Sequence, residues 1–166
     1  MSNDSGAPAA DRPLMVLVMR HAEKPDDPSD PDLTAAGQAR AKALADYIPD
    51  TFGMPDFIFA AAISKYSARP YETVKPLSKR TGIAIDATIA DNDYGVLAKD
   101  LLSKPKFAGK RIVVCWHHGN IPSLLRALGA ASGDYPDPWD HTVFNLILNL
   151  GFSAAGPTVA EVTEPF

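Results

Sequence analysis

The sequence has a single cysteine, almost no excess of either charge and no long apolar segment. The one cysteine, Cys115, excludes an intramolecular disulfide and a metal site built from several cysteines. The formal net charge is −4, whereas proteins that bind nucleic acid non-specifically present a basic face. No apolar run approaches the roughly 18 residues of a membrane-spanning helix. These absences predict that neither nucleic acid nor a membrane is a partner.

The N-terminal residues differ in composition from the rest of the chain. Residues 1–13 lack the basic and apolar segments of a signal peptide, and their Ser, Asp, Gly, Ala and Pro content predicts a flexible tail. We expect residues 14–166 to form a single domain, because their number matches one ordinary domain. The lone cysteine and the lack of a signal peptide favour a cytoplasmic location.

Apolar runs typical of buried strands alternate with segments of helical periodicity. The predicted strands span 14–19, 56–64, 83–86, 111–116 and 141–152, with a further one possible after 156, and the predicted helices span 35–48, 68–82, 94–103 and 121–130. We expect Thr34 to cap the first helix, Pro49 and Gly53 to end it, and Pro76 to kink or shorten the second. This alternation predicts an α/β three-layer sandwich with a mostly parallel central sheet flanked by helices.

Polar side chains follow the predicted strands where each strand ends. They are Arg20 with His21, the segment 64–69, the segment 91–93, and the segment 117–120. Because ligands bind at the carboxyl ends of strands in open α/β sheets, we expect these residues to share one crevice. Arginine matches the geometry of phosphate oxygens, and histidine serves as nucleophile or donor near neutral pH. The sequence lacks a glycine-rich nucleotide-phosphate loop, so the pattern predicts a site for a tetrahedral oxyanion.

Five segments together resemble a known family. They read VMRHAEK from residue 18, LTAAGQARAKALADYI from 33, SKYSARPYETVKPL from 64, DNDYGVL from 91 and WHHGNIPSLLRALG from 116. In this order and spacing they resemble the signature segments of the histidine phosphatase (phosphoglycerate-mutase-like) superfamily, over most of residues 14–150. The short chain is most similar to the phosphohistidine-phosphatase-like members of that superfamily.

The resemblance implies a covalent mechanism with no cofactor and no metal. His21 would attack phosphorus and become phosphohistidine, which divides one difficult displacement into two. Arg20, Arg69 and His118 would hold the phosphoryl oxygens and stabilise the developing charge. Asp91 would protonate the leaving oxygen and then activate water.

Three positions in these segments leave alternatives open. Asp91 stands where the mutases have glutamate, and Asp93 is close enough in sequence to be the proton donor instead. One extra residue separates Ser64 from Arg69, so the role of Ser64 is not assigned. His117 is an extra histidine beside the matched one, and we interpret it as a packing or rim residue.

These residues predict a metal-independent phosphoric monoester hydrolase whose substrate is a phosphorylated small molecule or a phosphoprotein. The alternatives are a non-catalytic phosphate- or phosphoprotein-binding module and, with less support, a phosphomutase, which needs a more closed site. A metallohydrolase using the histidines is disfavoured because the adjacent His117 and His118 are poorly placed to chelate one ion. The oligomeric state is not predicted, since the segment 141–152 suits a dimer edge as well as an internal strand.

Overall fold

The computed structural model describes residues 11–166, so residues 1–10 of the predicted tail lie outside the described residues. Arg12, at the start of the described part, donates from Nη1 to the carbonyl oxygen of Leu102 at 2.8 Å. The strands are β1 (Met15–Arg20), β2 (Phe57–Ala60), β3 (Ile85–Asp86), β4 (Arg111–Trp116), β5 (Leu146–Ser153) and β6 (Gly156–Thr163). The helices are α1 (Ala35–Phe52), α2 (Arg69–Thr81), α3 (Tyr94–Ser103) and α4 (Ile121–Ala127).

The six strands form one sheet in the order β3-β2-β4-β1-β5-β6. The pairs β2–β3, β2–β4 and β1–β4 are parallel, whereas β5 runs antiparallel to β1 and β6 antiparallel to β5. The predicted fold class, a mostly parallel α/β sheet flanked by helices, is confirmed. Strand β5 is internal to the sheet, because it pairs with β1 on one side and β6 on the other.

Each face of the sheet is covered by two helices. Alternate residues of β1 divide between the faces, as expected for a strand that is buried on both sides. Val16 and Val18 pack in the same core as α3 and α4, and Leu17 and Met19 pack in the core of α1 and α2. All four β1 side chains are at most 2% exposed. The end of β1 is therefore held rigidly from both faces, which fixes the residues that follow it.

The predicted strand 141–152 begins five residues late, at Leu146. Within residues 141–145, the carbonyl oxygens of His141 and Val143 bind side chains instead of a neighbouring strand, and the segment forms a loop. The carbonyl oxygen of Val143 accepts from Trp139 Nε1 at 3.1 Å, and the Asp140 carboxylate accepts from the backbone and hydroxyl of Thr142. The predicted strand 56–64 is also shorter, ending at Ala60.

Neither Pro49, which follows the predicted first helix, nor Pro76, inside the predicted second, ends its helix. Thr34 caps α1 as predicted, accepting from the backbone N–H of Gly37 at 3.0 Å, but α1 continues past Pro49 to Phe52. The helix ends at Gly53, whose φ of 91° is a conformation that glycine adopts without strain. Helix α2 likewise runs through Pro76. Among residues 11–166, no helix has both the length and the apolarity needed to cross a bilayer.

Candidate active site

His21 follows the last residue of β1 and is almost completely buried. The residue is only 2% exposed, and its backbone N–H donates to the carbonyl oxygen of Trp116 at 3.2 Å. Nδ1 lies 2.7 Å from the carbonyl oxygen of Ala22. Because a carbonyl only accepts, Nδ1 carries the proton in the neutral ring and Nε2 carries the lone pair. Burial, opposed by the Ala22 hydrogen bond and aided by the neighbouring cations, lowers the pKa of His21 to about 3.

Arg20, the last residue of β1, is buried beside the 141–145 loop. Nη1 donates to the carbonyl oxygen of His141 at 2.6 Å, and the guanidinium carbon lies 3.9 Å from the centre of the Phe144 ring. Nε and Nη2 are buried and have no hydrogen-bond partner in the described residues. Burial and the charge of Arg69 lower the pKa of Arg20 to about 10. Two unpartnered donors on a buried guanidinium are costly, and an anionic ligand would satisfy them.

Arg69 begins α2 and supplies a second guanidinium. Its Nη1 donates to the carbonyl oxygen of Asp30 at 2.8 Å, while its buried Nε has no partner in the described residues. Burial lowers its pKa, and the nearby Asp30, Glu72 and Asp32 oppose that effect. The charge of Arg69 also lowers the pKa values of Arg20 and His21. Two arginines and a neutral imidazole are therefore gathered at one end of the sheet.

His117, the first residue after β4, is held at both ring nitrogens. Nδ1 lies 2.8 Å from Asp91 Oδ1, and Nε2 lies 2.9 Å from Ser67 Oγ. The ring centre is 5.4 Å from that of His21, with the two rings at 71°. We expected His117 to be a packing or rim residue; its contacts bring it next to His21, the predicted nucleophile, and bond it to Asp91, the predicted acid.

Asp91 uses both carboxylate oxygens to accept hydrogen bonds. Oδ1 accepts from the side chain and the backbone N–H of His117, and Oδ2 accepts from Asn120 Nδ2 at 2.6 Å. Burial raises the pKa of Asp91, but the hydrogen bonds from His117 and Asn120 outweigh it and hold this pKa below its usual value. Asp93, the other candidate acid, is exposed to solvent.

His118 begins the short 3₁₀ turn that follows His117 and is half-buried. Burial lowers its pKa, as do the charges of Arg20 and Lys24. His118 therefore lies in the field of Arg20, while His117 faces Asp91 and Ser67.

A pocket of about 460 Å³ adjoins this cluster. Its walls come from the loop after β2 and the turn before α3. They include Ser67, Arg69, Asp91 and His117 together with the apolar or aromatic side chains of Ile63 and Tyr66. Ser64 also lines this pocket, and its Oγ accepts from the backbone N–H groups of Tyr66 and Ser67 at 3.2 Å each. Ser64 thus shapes the loop that carries Ser67.

Sequence reasoning missed several residues that complete the cluster. Ser67 and Asn120 hold His117 and Asp91, and Phe144 covers the Arg20 guanidinium. Ser67 and Asn120 lie inside the polar segments 64–69 and 117–120. The sequence pattern therefore predicts that they lie near the site, but not which residues they contact. Nothing in the sequence indicated Phe144, because the contact depends on a loop that was predicted as a strand.

The structure groups these residues without forming an obvious metal site. Within residues 11–166, no three side chains of His, Cys, Asp or Glu come together in a way that would hold an ion. What the cluster offers is a set of guanidinium and imidazole donors around one unprotonated ring nitrogen. Such a set suits an anion with tetrahedral oxygens and a nucleophilic attack upon it.

No protein-family model and no curated protein matches the sequence, but solved structures match the fold. One is the protein histidine phosphatase SixA complexed with tungstate (TM-score 0.62, 15% identity, 90% of this chain and 96% of that chain). Another is a mycobacterial glucosyl-3-phosphoglycerate phosphatase (TM-score 0.61, 15% identity, 90% and 97%). A third is a mutant phosphoserine phosphatase from Entamoeba histolytica in complex with phosphoserine (TM-score 0.60, 15% identity, 88% and 94%). The chain therefore has the fold of the histidine phosphatase superfamily.

Proposed function

We propose that this protein is a metal-independent phosphatase that hydrolyses a phosphomonoester or a protein-borne phosphoryl group through a phosphohistidine at His21. The observation that carries the proposal is the state of the His21 ring. Its Nδ1 is committed to the Ala22 carbonyl, so the lone pair is on Nε2, and the low pKa keeps the ring unprotonated at neutral pH. A neutral imidazole beside two guanidinium groups is ready to attack an anionic phosphoryl group.

The arginines supply the electrostatic part of the proposed mechanism. Arg20 offers Nε and Nη2, and Arg69 offers Nε, to the phosphoryl oxygens. His118, which lies in the field of Arg20, is the further group that we propose for these oxygens. Fixed donors of this kind stabilise the charge on the transferred phosphoryl group without reorganisation during the reaction.

The pocket beside His117 would accept the leaving group. Its volume of about 460 Å³ suits a small organic group or one side chain of a phosphoprotein. The solved structures with this fold include phosphatases named for histidine-phosphorylated protein, phosphoserine and a phosphoglycerate derivative, which supports phosphorylated substrates as a class. The proton for the leaving oxygen comes, in this proposal, from the bonded pair of Asp91 and His117.

Hydrolysis of 4-nitrophenyl phosphate tests the proposal against a binding module. We expect turnover that survives EDTA and is lost in His21→Ala, and we expect acid-labile ³²P on the wild-type protein after rapid mixing with labelled substrate. Activity retained by His21→Ala would contradict the proposal. Phosphate binding without turnover of any substrate in a panel of aryl, alkyl and protein-borne phosphates would favour the binding module.

The arginine roles need a matched control, which Arg80 provides. Arg20→Lys and Arg69→Lys should each lower kcat/KM by at least about 10-fold, because lysine cannot reproduce the planar fork of donors. Arg80 of α2 forms an exposed ion pair with Asp46 of α1, with 2.9 Å between Nε and Oδ1. Arg80→Lys should leave kcat/KM within about 2-fold, as expected of a surface charge. Equal effects of all three substitutions would count against phosphate binding by Arg20 and Arg69, which we call the phosphate clamp.

A further inference from the structure

The cluster contains a bonded chain of side chains that the phosphate clamp does not use. It runs from Asn120 through Asp91 and His117 to Ser67, with successive distances of 2.6, 2.8 and 2.9 Å. We propose that His117 is the catalytic acid and base of this site, and that Asp91 is a positioning residue that acts through His117. This inference rests on the proposed phosphatase function and assigns its proton transfers.

The hydrogen bonds of Asp91 argue against direct proton donation. Both of its oxygens already accept, Oδ1 from His117 and Oδ2 from Asn120. A proton on Oδ1 would displace one of the two His117 hydrogen bonds, and a proton on Oδ2 would remove the negative charge that strengthens all three bonds. An acceptor held in this way stabilises the carboxylate form. The lowered pKa of Asp91 is consistent with that geometry.

The same bonds fix the orientation and tautomer of His117. Because Asp91 only accepts at Oδ1, Nδ1 of His117 carries a proton in both the neutral and the charged ring. Nε2 is therefore the nitrogen that gains and loses a proton. A carboxylate that holds Nδ1–H also stabilises the imidazolium that forms during catalysis, as in other Asp–His pairs. Nε2 is bonded to the Ser67 hydroxyl, which a substrate oxygen would replace.

His117 lies at the boundary between the nucleophile and the leaving-group pocket. Its ring centre is 5.4 Å from that of His21, and its side chain also lines the 460 Å³ pocket. In an in-line displacement the leaving oxygen is on the far side of phosphorus from the attacking atom. A group that touches both regions is placed to deliver a proton to that oxygen. His118 does not line the pocket.

The proton transfers balance over two steps. In the first, Nε2 of His21 bonds to phosphorus and the bond from phosphorus to the leaving oxygen breaks. The leaving oxygen takes the electron pair and the Nε2 proton of charged His117. In the second, neutral His117 removes a proton from water, whose oxygen bonds to phosphorus as the bond from phosphorus to His21 breaks. Inorganic phosphate leaves, and His117 is again charged.

Several charged or titratable groups face His117. They are His21 after β1, Arg69 at the start of α2, Asp91 before α3 and His118 on its own turn. Arg69 opposes a positive charge on the ring, and Asp91 favours it. We expect Asp91→Asn to weaken proton donation by His117, because the charged ring loses its counter-ion.

The test compares two substrates that differ in their need for an acid. Phenyl phosphate has a poor leaving group and 4-nitrophenyl phosphate a good one, and kcat/KM reports the step that forms phosphohistidine. His117→Gln should reduce kcat/KM for phenyl phosphate at least about 10-fold more than for 4-nitrophenyl phosphate, because general acid catalysis accelerates a reaction by roughly 10²–10⁴-fold. His118→Gln, at the adjacent position, should reduce both by the same factor.

A double variant separates positioning from direct action. If Asp91 works through His117, Asp91→Asn should reduce kcat/KM in the wild type and change it by less than about 2-fold in the His117→Gln background. Thermal unfolding of each variant identifies any that misfold, and His117→Asn replaces His117→Gln in that case. An undiminished Asp91→Asn effect in the double variant would overturn the inference, as would a His117→Gln effect equal for both substrates.

The outcomes also separate this inference from the function on which it rests. Acid-labile ³²P that depends on His21, combined with no selective effect of His117→Gln, would overturn the role of His117 alone. Hydrolysis retained by His21→Ala would overturn the phosphohistidine step, and with it the two-step sequence of proton transfers that is assigned to His117.

Discussion

The hydroxyl of Thr73 accepts a hydrogen bond from the backbone N–H of Ala22 at 2.9 Å and donates to the carbonyl oxygen of Arg69 at 2.8 Å. Both Thr73 and Ala22 are fully buried. One side chain thus joins the residue after His21 to the residue that begins α2. His21, the proposed nucleophile, and Arg69 come from distant parts of the chain, and this bond fixes the spacing of the two segments.

Thr73→Val should therefore lower both stability and activity. The substitution leaves the buried Ala22 N–H without a partner, which costs about 1–3 kcal/mol in unfolding free energy. It also releases the link to Arg69, so we expect kcat to fall several-fold. Urea unfolding and hydrolysis of 4-nitrophenyl phosphate measure the two effects. Thr73→Ser keeps the hydroxyl and is the control; if it matched Thr73→Val in both assays, the hydrogen bond would not be the cause.

Gly37 and Gly95 provide a matched pair of glycine substitutions near helix starts. A Cβ on Gly37 would lie 2.5 Å from the backbone oxygen and 3.0 Å from the backbone nitrogen of Glu23, two residues past His21, whereas a Cβ on Gly95 meets nothing within 4 Å. Alanine is intrinsically better in a helix by about 1 kcal/mol. We expect Gly95→Ala to be neutral or stabilising, and Gly37→Ala to destabilise by about 1–3 kcal/mol because backbone must move.

The same pair should differ in activity. Displacement of Glu23 moves the loop that follows His21, the proposed nucleophile, so Gly37→Ala should lower kcat/KM, while Gly95→Ala should retain it. Thermal unfolding and steady-state kinetics on both variants are sufficient. Wild-type activity in Gly37→Ala would mean that this loop can shift without moving His21.

The elements around the site could be predicted because their sequence signals are local. Strand β4 spans Arg111–Trp116 and α3 spans Tyr94–Ser103, as predicted, since a buried strand and an amphipathic helix depend mainly on apolar patterning. The gathering of polar residues at one sheet edge followed from the parallel arrangement. Pro49 does not end α1, and α2 continues past Pro76. Each proline removes one backbone hydrogen bond, and the packing of α1 against α2 compensates for that loss.

The contacts within the site could not be predicted, because they depend on side-chain directions in three dimensions. His117 and His118 are adjacent, and the sequence does not say which one faces His21. The loop 141–145 alternates like a strand, yet its carbonyl oxygens bind Arg20. The buried guanidinium of Arg20, which takes hydrogen-bond acceptors from this segment, explains why it leaves the sheet.

The pKa of His21 predicts how acid affects stability. Its value is about 3 in the folded protein against 6.5 for an ordinary histidine, so between these values the unfolded chain binds a proton that the folded protein excludes. The free energy of unfolding should therefore fall as pH drops from about 6.5 towards 3. At pH 4.5 the cost is about 2–3 kcal/mol relative to pH 7.5.

The variant His21→Gln should lose this part of the acid sensitivity. Urea unfolding at pH 7.5 and pH 4.5 measures the difference for each protein. His118, whose pKa burial also lowers, remains in the variant and leaves a residual slope of the same sign. An identical loss of stability in both proteins would show that His21 is not excluded from protonation in the fold.

Arg40 should be essential for stability because it neutralises a buried carboxylate. Its Nη1 lies 2.9 Å from Oε1 of Glu164, a residue only 3% exposed, and its Nε and Nη2 bond to Glu23. Removing one partner of such a pair costs about 3–5 kcal/mol. We expect Arg40→Met to lower the free energy of unfolding by that amount, and Arg40→Met combined with Glu164→Gln to recover part of it.

The loss in Arg40→Met should also depend on pH. Burial raises the pKa of Glu164 to about 7 even though Arg40 opposes the shift, and without Arg40 that pKa rises further. The folded variant then binds a proton that the unfolded chain, with a carboxyl pKa of about 4.5, has released at neutral pH. Stability conferred by the protonated form is lost as pH rises, so Arg40→Met should be more stable at pH 5.5 than at pH 8. A pH-independent deficit would mean that Arg40 acts through packing and not through charge.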